Sequence, residues 1–269
     1  MRHSTSLALL LALAAAPAAA DTLKASYSVV FLGLSIGAAD YTASFDGAGY
    51  RAEVATKLSG LAALMSSSKG SATATGAVSA GRIVSATYAT TSANAELTRT
   101  VRMLFGGGNA KAVDISPPID DKPGRIPLTD ASKIGVIDPL SATIMPVAAG
   151  QPLVGPGVCN RSLPIFDGFA RFNVNLAYVG TRQVSVSGYK GPVTVCSVRY
   201  VPIAGHRPDK TNTKFMINNK QIDVWLAPVE RAHVVVPYRI SVLTQLKGTV
   251  VIEAQKLSID GPGQATVAQ

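Results

Sequence analysis

Tyr41-Thr42-Ala43-Ser44-Phe45-Asp46-Gly47-Ala48-Gly49-Tyr50-Arg51-Ala52-Glu53-Val54 decides the fold. Tyr41, Ala43 and Phe45 alternate with polar residues, and so do Tyr50, Ala52 and Val54. A period of two puts each set on one face of a strand. Asp46-Gly47-Ala48-Gly49 between them supplies turn residues able to take positive φ. The stretch is a β-hairpin with one buried face.

The same grammar extends in both directions. Val, Ile, Thr, Tyr and Phe gather in short segments separated by Gly, Asn and Pro. Strand patterns cover 23–34 before the hairpin, 38–45 and 50–58 as its two arms, and 70–77, 82–90, 96–105 and 111–115 after it. Further patterns cover 170–179, 182–187, 193–201, 221–226, 233–236, 239–247 and 249–258. Gly106-Gly107-Gly108-Asn109 and Lys247-Gly248 read as hairpin turns. Residues 116–130 hold Pro117, Pro118, Pro123 and Pro127, which no central strand or helix accepts. They form a surface connection. Two helices break the β pattern. Leu61, Ala62, Ala63, Leu64 and Met65 predict one over 60–67. Asp138 as N-cap with Pro139 at the first helical position predicts another over 138–148. The expected fold is therefore all-β and mainly antiparallel. It is a strongly curved sheet or open barrel with two short helices, since so many strands in one sheet must curl.

The N-terminus bounds the compartment. Met1-Arg2-His3 is basic, residues 7–16 are unbroken Leu and Ala, Pro17 breaks the run, and Ala18-Ala19-Ala20 precedes Asp21. That order is a secretory signal peptide with a cut after Ala20, too short to span a bilayer as a mature helix. It leaves a single β-rich domain over 21–260 and a polar tail over 261–269. A periplasmic location follows as an expectation. So does one disulfide, Cys159 with Cys196, because an even cysteine count in an oxidising compartment reads as a bridge.

The chain has 25 Lys and Arg against 16 Asp and Glu, a formal net charge of +9, and Arg2 leaves with the leader. Such a protein is drawn to anionic lipid headgroups or glycans. Nucleic acid is excluded by the compartment and by the absence of a Lys/Arg block with interleaved aromatics. A transmembrane barrel shares the alternating pattern, but the Pro-rich segment, the helices and the scarcity of aromatics (6% of the chain) count against it.

Catalytic signals are thin. Gly33-Leu34-Ser35-Ile36-Gly37 matches G-x-S-x-G, yet a strand pattern follows where a nucleophile elbow needs a helix. His206 and His233 are the histidines downstream of the leader, and neither has a second ligand at zinc spacing. The triple glycine at 106–108 lacks the Lys-Ser or Lys-Thr of a phosphate loop. Asn160-Arg161-Ser162 matches a glycosylation acceptor, relevant only in a glycosylating host. Phe166-Asp167-Gly168 is a turn before a strand. Asp167, Gly168 and Arg171 are either a structural turn, with Arg171 paired to Asp167, or a ligand-binding carboxylate with its neighbours. No cofactor is implied.

Several of these segments, in this order, resemble an exported proteobacterial family of unknown function, DUF3108. They are Asp138-Pro139-Leu140-Ser141, Cys159 through Phe172, and Cys196-Ser197-Val198-Arg199-Tyr200 with Pro202 and Gly205-His206-Arg207. Val224-Trp225-Leu226-Ala227-Pro228 and Val236-Pro237-Tyr238-Arg239 complete the likeness. The chain departs from it at Phe169-Ala170, where more polar or basic residues would follow the Asp-Gly. The resemblance implies a β-rich envelope protein and supplies no activity or catalytic residues. The expected function is non-enzymatic, the binding or assembly of an amphipathic envelope component such as a lipid or lipid-linked glycan. A structural envelope scaffold with a protein partner, and a serine esterase using Ser35, are the alternatives.

Overall fold

The computed structural model describes residues 21–59, 68–120 and 122–260. The leader, the 60–67 helix and the polar tail expected from sequence lie outside the described residues. The first meander comprises β1 (Asp21–Phe31), β2 (Leu34–Asp46), β3 (Gly49–Leu58), β4 (Lys69–Ser79), β5 (Arg82–Ala93), β6 (Thr98–Gly106) and β7 (Asn109–Ser116). The short β8 (Met145–Pro146) follows. The second meander is β9 (Arg161–Phe166), β10 (Arg171–Val186), β11 (Tyr189–Ala204), β12 (Ile222–Val229), β13 (Val234–Leu243) and β14 (Thr249–Asp260). β1 pairs with β14, so both meanders form one antiparallel sheet in the order β7-β6-β5-β4-β3-β2-β1-β14-β13-β12-β11-β10-β9.

The quoted hairpin is β2–β3, with Phe45 opposite Tyr50 and Asp46 opposite Gly49. Its alternation has the expected consequence: Tyr41, Ala43, Phe45, Tyr50 and Ala52 are buried inside the curl. Leu23, Tyr27, Ala74, Tyr88, Val101 and Tyr238 complete that interior. The outward positions of β1–β3 include Lys24, Asp40, Arg51, Glu53 and Lys57. This is the reverse of the outward apolar band of a membrane-spanning barrel. Among the described residues, no helix is long and apolar enough to cross a membrane.

A strap closes the seam between the edge strands β7 and β9. Val136 N–H donates to Gly108 O (3.0 Å), Ile137 N–H to Pro164 O (2.9 Å) and Phe166 N–H to Ile137 O (2.9 Å). The β9–β10 turn then lies against β6, so close that a Cβ on Gly168 would stand 2.7 Å from Val101 Cγ1.

The helix expected over 138–148 is not there. Asp138 does cap, its Oδ1 accepting from Leu140 N–H (3.0 Å) and Ser141 N–H (2.8 Å). Only a single 3-10 turn, Ser141–Thr143, follows. Tertiary pairing overrides the local signal: Met145 and Pro146 extend and pair with Val235 and Val234 of β13. Two short helices do exist elsewhere, α1 (Pro156–Cys159) and α2 (Thr211–Asn218). α1 covers the outer face of β10–β13, where Val158, Leu176, Val198, Val224 and Val235 form a second core. The Cys159–Cys196 disulfide crosses this second core, with Cα atoms 5.6 Å apart. The strand patterns 170–179 and 182–187 merge into one 16-residue strand, with a bulge near Tyr178.

Candidate functional site

Alternation within β1, β2, β3 and β5 places four tyrosines in the barrel, Tyr27, Tyr41, Tyr50 and Tyr88, in the same interior as Tyr238 of β13. A buried phenol needs a partner, and the strap supplies two. Tyr50 donates to Ser141 Oγ (2.6 Å), and Tyr41 shares a 3.1 Å hydrogen bond with Thr143 Oγ1. Tyr27 reaches the Pro237 carbonyl at 2.6 Å. Burial raises all four pKa values, those of Tyr50 and Tyr88 to about 12.

Asp138 is the hub of this network and is fully buried. Besides its two N–H donors, its Oδ2 accepts from the Ser85 (2.6 Å) and Ser141 hydroxyls. Burial pushes the carboxyl above the usual carboxylate range, and the Ser141 and Ser85 hydrogen bonds pull it part of the way back. A buried carboxylate with four donors holds the strap in place. It has no open side toward a substrate.

One part of the interior is not filled. A cavity of about 290 Å³ lies among Tyr27, Ala39, Tyr41, Ala72, Leu140 and Ile252, and its lining is almost wholly apolar. The small residues Ala39 and Ala72 leave this room between the tyrosines. At the end of the barrel where β1, β3 and β5 finish, a recess of about 520 Å³ is bounded by Val29, Gly37, Leu58, Gly70 and Arg99. Thr56 borders both spaces. The two spaces thus lie on either side of Thr56, and the cavity with its neighbouring recess is the candidate site. A larger cleft of about 890 Å³ lies between the β4–β5 turn and β9, walled in good part by Gly81, Gly107, Gly108 and Gly135. Its Arg161 is already engaged on the Pro146 carbonyl at 2.8 Å.

The residues singled out from sequence fall in separate places. Asp167 Oδ1 accepts from Phe169 N–H (3.0 Å) and Ala170 N–H (2.7 Å), which is a turn carboxylate's work. Gly168 supplies the positive φ, 102°, of that turn. Arg171 does not pair with Asp167. Its Nη1 donates to Phe172 O (2.5 Å) and Asn173 Oδ1 (2.7 Å), because a residue at the strand start points along β10 rather than back over the turn. The cation near Asp167 is Arg125, from the Pro-rich segment, which sequence reasoning had not singled out. Burial pushes Asp167 up, against the pull of its two N–H donors and Arg125. The Gly205-His206-Arg207 segment reaches the same corner: Ile126 N–H donates to His206 O at 2.9 Å. A Cβ on Gly205 would stand 2.1 Å from Phe169 O.

Ser35 lies within β2 and hydrogen-bonds Ser59 at 3.2 Å. Register connects Ser35 through Val30 and Val251 to Ser241. His233 is eight residues before Ser241, about 26 Å along the strand. Its Nε2 donates to Ala148 O at 3.1 Å. His206 follows β11, five strands from β2. The structure brings Ser35 to neither imidazole. It does bring together Trp225, Tyr238 and Arg239: the guanidinium sits 5.0 Å over the indole and pairs with Glu253 at 2.8 Å. The indole and Tyr238 rings stack at 6.4 Å.

A family model described as a protein of unknown function, DUF3108, matches residues 26–255. No curated protein matches the chain. Among solved structures, the chain is similar to a beta-barrel-like protein of the domain of unknown function DUF1849 from Brucella abortus. The two are 10% identical with a TM-score of 0.48, over 91% of this chain and 99% of that one.

Proposed function

The chain belongs to the DUF3108 family, and from that premise we propose an exported, non-enzymatic barrel of the cell envelope that takes up the apolar end of an amphipathic component, a lipid or lipid-linked glycan. The observation that carries this reading is the apolar cavity of about 290 Å³ that meets the end recess at Thr56. Ligand pockets run roughly from 300 to 1,000 Å³. The cavity alone suits the end of an acyl or prenyl chain, with the remainder in the recess. The leader-like N-terminus and the +9 charge support a periplasmic protein facing anionic amphiphiles. Native mass spectrometry of the protein purified from the periplasm tests it. Co-purifying lipid, and a mature chain beginning at Asp21, are expected. A clean apo mass that also fails to take up an added fatty acid removes the reading.

The scaffold alternative has its own support. The strap buries Val136, Leu140 and Ile144 inside the barrel, so most of the concave face is filled by the chain itself. Leu61, Leu64 and Met65, the other expected filling, lie outside the described residues. A scaffold predicts no cargo and a barrel whose stability rises when the remaining cavity is filled.

A further inference from the structure

The β1–β2 connection is two residues, Leu32 and Gly33, with φ of 50° and 80°. Positive φ at both positions is the geometry that favours Asn-Gly, and a leucine is disfavoured there. The fold gains little from its side chain, which is 67% exposed. Leu34, the next residue but one, is 59% exposed, and Leu246 in the neighbouring β13–β14 turn is 78% exposed. The two turns touch: a Cβ on Gly248 would stand 2.4 Å from the Phe31 ring and 2.9 Å from Leu32 Cδ2. The result is one apolar crest on adjacent hairpin tips, at the end of the barrel where the recess lies.

Basic residues stand beside the crest. Lys247 is next to Leu246 in the same turn. Lys57 and Lys69 are directly opposite each other on β3 and β4, both exposed. Like charges in that relation repel, and among the described residues neither has an acidic partner. Glu96 is the one acidic residue in the β1–β2, β5–β6 and β13–β14 turns.

We propose that this end of the barrel docks on an anionic lipid surface, with Leu32, Leu34 and Leu246 entering the interface and Lys57, Lys69 and Lys247 meeting the headgroups. The charge complementarity and the leucine kept at a strained, exposed turn position select this partner. Apolar tips with flanking lysines are the pattern of interfacial anchoring. The docking does not depend on what the cavity holds, although it would set the recess against the source of an amphiphile.

The test is co-sedimentation of the mature protein with vesicles of phosphatidylethanolamine and phosphatidylglycerol, and with vesicles of phosphatidylcholine alone. Wild type should pellet with the anionic vesicles, less so at high salt. Leu32→Asn with Leu246→Ser should weaken that partitioning at least about tenfold, each leucine being worth a substantial apolar area. Lys57→Gln with Lys69→Gln should weaken it about fivefold per lysine. Leu32→Asn creates an Asn-Gly turn, so its melting temperature should hold or rise, which separates lost docking from lost folding. Lys111→Gln, which removes an exposed lysine near the β6–β7 turn at the opposite end of the barrel, should leave vesicle binding unchanged. Wild type that stays in the supernatant, variants that pellet like wild type, or equal binding to phosphatidylcholine would each overturn the proposal.

Discussion

Tyr50 occupies the space that a side chain on its cross-strand partner Gly76 would need. A Cβ at residue 76 would stand 2.5 Å from the Tyr50 hydroxyl oxygen and 2.2 Å from Val84 O. The absence of a side chain there lets the phenol lie flat over β4 and reach Ser141 on the strap. A glycine in one strand thereby positions a segment sixty-odd residues later in the chain.

Gly76→Ala should accordingly destabilise the fold by about 1–3 kcal/mol, the usual cost of overpacking. Gly106→Ala is the control, since its Cβ would meet only Lys111 Cγ at 3.5 Å and Cε at 3.8 Å. Urea unfolding of both variants checks this. Gly→Ala otherwise tends to stabilise by lowering the entropy of the unfolded chain, so equal losses would mean that the Tyr50 and Val84 contacts do not set the cost.

Asp138 gives a pH dependence with a definite sign. Its pKa is raised in the folded state, so the folded chain holds the proton more tightly than the unfolded one. The stability this contributes is fully present below the ordinary Asp value of about 3.9. It is lost as pH rises through the raised folded value. Asp167 is shifted in the same direction and cancels when wild type is compared with Asp138→Asn. The stability difference between the two should therefore move against wild type as the pH is raised from about 4. Urea midpoints measured across that range decide it, and a flat difference would show that the four donors fully offset burial.

Cys159 and Cys196 close a loop with a sequence separation of 37. Chain entropy for such a loop amounts to about 4 kcal/mol. Cys159→Ala with Cys196→Ala should lower the unfolding free energy by roughly that amount while leaving the β1–β7 meander's circular dichroism in place. The bridge ties α1 to β11 and lies in the outer core, away from the cavity. Amphiphile uptake should therefore survive the double variant at temperatures where it remains folded.

These predictions rest on features that were unevenly legible in the sequence. Residues 41–54 announced their hairpin because one face of it is buried and the other wet, which is the condition that makes a period of two visible. β12 lacks that contrast. It is buried on both faces over Leu226–Val229, with Leu226 in the outer core and Ala227 and Val229 in the inner one, so its pattern does not mark its end. β9 carries Pro164 and falls in none of the strand patterns, yet an edge strand tolerates proline. The Asp138 cap was legible as a cap. Its sequel was not, because the pairing of Met145 with Val235 is a contact ninety residues away. The site was less legible still. Its cavity is defined by the small size of Ala39 and Ala72 among tyrosines, and no motif records a void. Asp167 and Gly168 read in the sequence as either a turn or a ligand-binding carboxylate; Asp167 holds the N–H groups of its own turn, beside Arg125 from a proline-rich stretch that has no periodicity at all.

Filling the cavity separates the carrier from the scaffold. Ala72 is 9% exposed and lines the cavity beside Ala39 and Tyr88. Ala72→Leu adds three methyl-sized groups where about 290 Å³ is unfilled. Burying them without strain should raise stability by about 1–2 kcal/mol, at about 0.8 kcal/mol per buried carbon less the lost side-chain entropy. A scaffold gains that stability and loses nothing. A carrier gains it and loses cargo, because the leucine occupies the place of the acyl chain's end. The measurement is paired: thermal unfolding, and displacement of a fluorescent fatty acid from the wild type and from Ala72→Leu. Uptake by wild type that falls at least about tenfold in the stabilised variant, as expected for losing a few buried carbons, establishes the carrier. Stabilisation with no uptake by either protein leaves the scaffold. A variant that is destabilised shows that the tyrosines cannot move apart, and Ala39→Val, which adds less volume two strands away on the same wall, then repeats the comparison.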